Sequence, residues 1–333
     1  MTEKKYDDPW DKPFTDPKGA SIEQIERFRH LRGEVVTRAR SLGLSKTEMQ
    51  GRSGIPQGTF WQFLDGEYKG NWDNMLDRVA NFLATLDEMN AAAARVPVGP
   101  GFINTPTADR LTSALMFAQT MPAMVLAVLG AGMGKTFTAR EYLKRPVTWL
   151  VTMRPTTKSV QRMLQVIAQE LEIAERGMGN LEDAIGKKLQ RNGRKPLLIV
   201  DEAQNLTDDA VNMLRYFLDA YGTGIALLGN EELYSRFGNS SPKPAFAQLA
   251  SRFGMRMRQL QPTAGDIDAV VNAWNIADPA VRSLSAALGR RPGALRQISE
   301  TLKLASVYAA GADRAVTAED VKLAIENRGV GEH

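Results

Sequence analysis

Lys135 and Thr136 close a run in which glycine recurs at every second position: Gly130-Ala131-Gly132-Met133-Gly134-Lys135-Thr136. Glycines let consecutive backbone N–H groups curl around an anion without a Cβ in the way, and a helix starting here turns its positive end toward the same point. This is the chemistry of a phosphate-binding loop. Lys135 would reach the β and γ phosphates of a nucleotide, and Thr136 would offer its hydroxyl to Mg²⁺. The usual spacing, G-x-x-x-x-G-K-[ST], would put its first glycine at Leu129, so Gly130 stands one residue late. Only the first bend is altered, because Gly134-Lys135-Thr136 is intact.

The second reactive group is Asp201-Glu202, directly after Leu197-Leu198-Ile199-Val200. Four apolar residues form a strand buried on both faces, and carboxylates at its C-terminal end lie where open α/β sheets bind ligands. Asp201 would hold Mg²⁺ and its water shell, while Glu202 would orient and deprotonate an attacking water. Taken alone, the first stretch is also explained by a glycine turn that binds nothing, and the second by an acidic helix start. Together they favour a nucleotide site.

Such a site needs a sheet and helices to hold it, and these follow from Thr107 onward. A helix over 107–120 leads into the apolar strand Met124–Leu129, and the loop opens a helix over 136–143. Strands follow at 146–151, 197–200 and 224–230, the last ending on the polar Asn230, with helices at 159–171, 181–190 and 208–221 between them. The segment from Pro262 is helical and compact, and its last helix covers 317–327. Alternating strands and helices imply an α/β fold with a parallel sheet.

The amino-terminal part reads differently. Residues 1–20 are charged and proline-rich, with Trp10 and Phe14 as stray aromatics, and are expected to be disordered. Helical periodicity begins at Ser21, with Ile22, Ile25, Phe28, Leu31, Val35, Ala39 and Leu42 on one face. Ser45-Lys46-Thr47-Glu48 is a capping box for a second helix, and Gln57–Leu64 form a third after the Gly54-Ile55-Pro56 turn. This is a helix-turn-helix pattern. Its third helix would present Gln57, Thr59 and Gln62 to bases or phosphates, unless the domain binds protein instead. A further helix, 75–89, closes it. The divisions are therefore a tail (1–20), a helix-turn-helix domain (21–90), a linker (91–106), the α/β core (107–261) and a helical lid (262–333).

Composition narrows the classes. The 333 residues carry a formal charge of +4, a modest basic excess that permits nucleic-acid binding without demanding it. With no cysteine there is no thiolate chemistry, and the two histidines, His30 and His333, cannot build a metal cluster. The longest apolar run, 121–129, is far short of a membrane span, and a soluble cytoplasmic protein is expected.

The phosphate loop, the Asp201-Glu202 strand, Asn230 at a strand tip and Ala250-Ser251-Arg252-Phe253, in that order, resemble an AAA+ ATPase over residues 105 to 328. The resemblance implies ATP as the nucleotide, with Mg²⁺. It also implies Asn230 as the first sensor, holding the attacking water, and Arg252 as the finger one subunit inserts into its neighbour's site. Arg252 in a plain surface ion pair is the other reading. The second-sensor arginine falls near Leu288–Arg296, where Gly293 takes the expected place, so either Arg296 or Arg291 serves or the sensor is missing.

Asp201-Glu202-Ala203-Gln204 and the preceding Gly54–Leu64 motif are similar to the Mu B-like transposition proteins of phages. That resemblance implies ATP-bound helical filaments on double-stranded DNA of any sequence, and delivery of that DNA to a transposase which it stimulates. Arg154, Thr156, Thr157 and Lys158, leaving the second strand, are then the favoured phosphate contacts, ahead of the basic loop 191–195. A replication initiator or helicase loader, a nucleotide-switched transcription regulator and a secretion-type ATPase are the competing readings.

Overall fold

The computed structural model describes residues 8–95, 99–174, 177–190, 193–237, 249, 251–276 and 278–330. The chain forms two compact units, residues 1–96 and 97–333.

The first unit contains α1 (Ile22–Ser41), α2 (Lys46–Ser53), α3 (Gln57–Asp65) and α4 (Trp72–Arg95). Ser21 and Ser45 each open a helix with a reciprocal capping box, which satisfies two backbone donors at once. Phe28, Phe60, Phe63, Met75 and Val79 fill the core, and Phe28 meets Phe63 and Trp72 edge-on. Ile22 lies outside it, 78% exposed, so the packed face of α1 starts further in, at Phe28. The helix expected to end at Met89 continues to Arg95.

Disorder through residue 20 does not hold for residues 8–20. Trp10 is buried and donates its indole N–H to the Leu44 carbonyl at 3.2 Å. Phe14 packs on Phe28 beneath the Arg32 guanidinium. The two aromatics give this segment the apolar area that its composition otherwise lacks.

The second unit runs α5 (Pro106–Thr120), β1 (Met124–Leu129), α6 (Lys135–Tyr142), β2 (Thr148–Thr152), α7 (Val160–Glu170), α8 (Met178–Leu189), β3 (Leu197–Asp201), α9 (Asp208–Tyr221), β4 (Gly224–Gly229), α10 (Glu231–Phe237) and β5 (Phe253–Gln259). It ends in α11 (Ala264–Ala273), α12 (Pro279–Gly289), α13 (Ala294–Gly311) and α14 (Ala318–Asn327). The sheet order is β2-β3-β4-β1-β5, and every pairing is parallel. Strand residues alternate between two cores, as a two-residue period demands. Leu126, Val128, Leu198, Val200 and Leu227 face α7, α8 and α9, whereas Val125, Ala127, Ile199, Ala226 and Leu228 face α5 and α6.

Parallel strands bring all their C-terminal ends to one edge. There β1 opens into the glycine loop, β3 into Glu202, β4 into Asn230 and β2 into the segment 153–158. The edge strand β5 is absent from the sequence expectation, although Phe253 and Met257 are buried and Arg256 and Arg258 exposed in the alternation that marks a strand. The last four helices pack around their own core, which includes Ile267, Val271, Leu288, Ile298 and Leu302.

Candidate nucleotide site

Lys135 is half-buried between two strand ends, where its ammonium donates to the carbonyls of Leu129 and Gly229, both at 3.0 Å. Burial pushes it below the usual lysine value. The Glu202 and Asp201 carboxylates oppose that shift and the Arg296 charge adds to it. Thr136 Oγ1 donates to Asp201 Oδ2 at 2.6 Å, and Glu202 N donates to the other carboxylate oxygen at 2.9 Å. Asp201 itself is only 1% exposed. A hydroxyl and a buried carboxylate in contact are hard oxygen donors, which fits Mg²⁺.

Glu202 adopts a left-handed backbone, φ 55°, a conformation that costs a non-glycine residue energy and concentrates at functional sites. Its carboxylate accepts from the Gln204 amide, whose oxygen accepts a long bond, 3.4 Å, from the Asn230 N–H. The Asn230 side-chain oxygen accepts from Glu232 N at 3.0 Å and so caps α10. Its NH₂ is the end left to donate.

The lid meets the loop directly. Arg296 N, at the start of α13, donates to the Gly132 carbonyl at 3.1 Å. A Cβ on Gly132, whose φ is 75°, would stand 1.8 Å from the Gly293 oxygen, so glycine is required there by the lid as well as by any phosphate. Arg296 is thus the lid arginine whose charge is felt at Lys135. A cavity of about 480 Å³ opens within the lid, between α11 and α12, lined by Gln261, Pro262, Ile267, Gly289 and Arg290 among others. Core and lid are joined beside it by Asp266, fully buried, which accepts from the backbone N–H and hydroxyl of both Thr107 and Thr263.

Arg252 does not join these residues. It precedes β5 at the end where Phe253 pairs with Met124, and its own loop lies at the far end of β1. At about 3.3 Å per residue the separation is roughly 17–20 Å. There its Nε pairs with Asp219 at 2.9 Å while the side chain stays 49% exposed. Arg154, Thr156 and Lys158 are exposed beside the Asp201 end of the sheet, since Thr152 pairs with Asp201. The Thr157 hydroxyl accepts from Arg154 N at 2.8 Å and donates to the Arg154 carbonyl at 3.1 Å, which closes a turn. In the first unit Gln57 and Gln62 are exposed on α3 and Thr59 is half-buried. Arg191 and Ala250 lie outside the described residues.

Sequence reasoning assigned no role to Gln204 or Asp266. The capping box Thr263-x-x-Asp266 was readable, but its second grip on Thr107 is a long-range contact that no local pattern reports.

The profile described as "AAA domain" matches residues 120–237, and "Mu B transposition protein, C terminal" matches 251–327. The "ATP-dependent target DNA activator B" of Escherichia phage D108 is 31% identical over 275 residues, which cover 82% of this chain and 86% of that protein. The chain belongs to the Mu B transposition protein family. The homonymous activator of Escherichia phage Mu is 30% identical with the same coverage, and the Mu-like prophage FluMu DNA transposition protein B of Haemophilus influenzae is 30% identical over 263 residues, 78% of this chain and 90% of that one. Among solved structures, Cdc6p from Pyrobaculum aerophilum aligns with a TM-score of 0.52 at 17% identity over 70% of each chain, a likeness of fold. A Mu B family member with a five-stranded parallel AAA+ sheet and helical flanks is therefore what the fold and the comparisons together show. No helix among the described residues is long and apolar enough to cross a membrane.

Proposed function

We propose that the chain is an ATP-dependent activator of target DNA in transposition, which assembles on duplex DNA and delivers it to a transposase. The observation that carries this reading is the convergence of Lys135, Thr136, Asp201 and Glu202 at one sheet edge, in a chain 31% identical to an activator so named.

Backbone N–H groups of residues 130–134 cradle the phosphates, and Lys135 exchanges its two carbonyl partners for phosphate oxygens. Thr136 and Asp201 would hold Mg²⁺, which would supply positive charge to offset that of the phosphates. Glu202 leaves Gln204 to take a proton from the attacking water, and the Asn230 NH₂ holds that water in line. Arg296 steadies the phosphates from the lid. Arg252 cannot reach its own site, so it completes the site of the next subunit in a head-to-tail filament. Arg154, Thr156, Thr157 and Lys158 contact DNA phosphates irrespective of sequence, and α3 presents Gln57, Thr59 and Gln62 as further contacts.

Negative-stain microscopy on random-sequence duplex, with and without a slowly hydrolysed ATP analogue, tests this. Filaments that need the analogue are expected. A discrete footprint at one sequence, or assembly indifferent to nucleotide, would refute it.

A further inference from the structure

We infer that Asn205 is a positioning residue that couples duplex contact at the 153–158 loop to the carboxylate of Glu202. The inference rests on reading that loop as a DNA contact and deepens it into a means of control.

Two segments are stitched together here. Met153 N donates to the Asp201 carbonyl at 2.9 Å, and the Asn205 side-chain amide donates back to the Met153 carbonyl at 3.1 Å. At the other end of the loop, the backbone N–H and hydroxyl of Thr207 both donate to the Lys158 carbonyl, at 3.0 and 3.2 Å. The loop carrying Arg154 and Lys158 is thus tied at both ends to the chain that follows the catalytic carboxylates.

Asn205 belongs to a single 3-10 turn, Ala203–Asn205. The residue before it, Gln204, grips the Glu202 carboxylate and touches the tip of β4, while its carbonyl accepts from Arg236 at 3.1 Å. Arg236 also pairs with Asp208, so the α10 side of the turn is anchored. On the side facing the loop, the tie made by the turn itself is that of Asn205. Neighbouring residues of one turn cannot move independently, so a pull on the Met153 carbonyl reaches Gln204 through one peptide unit. When phosphates draw Arg154 and Lys158 outward, the turn tilts and Gln204 releases Glu202. The left-handed backbone of Glu202 gives the carboxylate a strained position from which to move. Without duplex, Gln204 keeps the base occupied.

Asn205→Asp is close in shape but cannot donate to a carbonyl, and Asn205→Ala removes the side chain. Steady-state hydrolysis is measured with and without random-sequence duplex, alongside affinity for a fluorescent ATP analogue and for the duplex. The wild type is expected to hydrolyse faster with duplex. In both variants ATP and duplex affinities stay near wild type while that acceleration shrinks by about three- to tenfold, the range one neutral hydrogen bond is worth. Asn205→Gln, which keeps an amide donor, retains part of it.

A wild type indifferent to duplex overturns the coupling, as does loss of ATP binding in both variants, which marks a merely structural residue. Arg154→Ala with Lys158→Ala, measured in parallel, is expected to weaken duplex binding and flatten its salt slope by about two units. If that double variant binds duplex like wild type, the loop is not the DNA contact and both readings fall. If it loses affinity while Asn205→Asp and Asn205→Ala keep full acceleration, the coupling alone is wrong.

Discussion

If Arg252 acts only across a subunit boundary, two inactive variants must rescue each other. Glu202→Gln lacks the base but keeps its arginine, and Arg252→Ala lacks the arginine but keeps its base. Loss of a general base costs on the order of 10²–10⁴ in rate. Loss of an arginine finger costs roughly 10³–10⁵ in the best-studied phosphoryl-transfer enzymes. Each variant alone should therefore be nearly inert. The sheet register sets Arg252 at the opposite end of β1 from its own loop, roughly 17–20 Å away. In a head-to-tail assembly a working contact pairs an Arg252→Ala site with a Glu202→Gln neighbour. At equal amounts, half of the sites meet such a neighbour half of the time, so about one quarter of the wild-type rate returns, falling symmetrically toward either pure variant. Phosphate release is followed across the mixing series on saturating duplex. Co-assembly is established by energy transfer between the variants, each carrying one introduced cysteine in a chain that has none. A flat, inactive series despite energy transfer would refute the shared site.

Two other substitutions test the core–lid seam. Gly132→Ala places a Cβ 1.8 Å from the Gly293 oxygen at a φ of 75°, so α13 must shift. The protein should still fold while affinity for a fluorescent ATP analogue drops by about tenfold or more, the loss expected if some 1.4 kcal/mol of seating is forfeited. Asp266→Ala strands the buried N–H of Thr107 and removes the cap on Thr263, at a cost of roughly 2 kcal/mol, or a melting temperature lower by about 6 °C. The same residue predicts acid behaviour. Burial raises the Asp266 pKa, but hydrogen bonds from Thr107 and Thr263 outweigh burial and leave it below the ordinary value. Its stabilisation is complete above the unfolded-state pKa, near 3.9, and is lost as pH falls through the lower folded value. Melting curves taken from pH 6 downward should show that decline in wild type and lack this component in Asp266→Asn.

Local patterns made the candidate nucleotide site legible because its parts are local. Glycines before Lys135, and carboxylates after four apolar residues, state both the element and the chemistry at once. Composition misled at residues 8–20, since one buried indole outweighs many charges and composition does not say where an indole goes. The edge strand β5 went unread although Phe253, Met255 and Met257 alternate with Gly254, Arg256 and Arg258, because Arg252 drew the same segment into a catalytic reading. Gln204 and Asn205 were invisible for a different reason. What they do depends on Glu202, Asn230 and Met153, and only the fold brings those together.

The late first glycine of the phosphate loop also gains a cause from the sheet. Leu129, where the usual spacing would put a glycine, is the last residue of β1, fully packed, and its carbonyl receives Lys135. The next residue, Gly130, donates its N–H to the Gln259 carbonyl at 3.0 Å, and a Cβ there would lie 2.1 Å from the Leu260 oxygen. The chain leaving β5 thus crosses against the loop's entrance, and glycine is needed where that crossing occurs. Gly132 is needed where the lid touches, and Gly134, at φ 85° with open space around it, where α6 begins. Of the three glycines, two are fixed by contact with other parts of the core and lid. A shift in their spacing therefore reports how β5 and the lid pass the loop, and it leaves the Gly134-Lys135-Thr136 end, proposed to meet the terminal phosphates, unaltered.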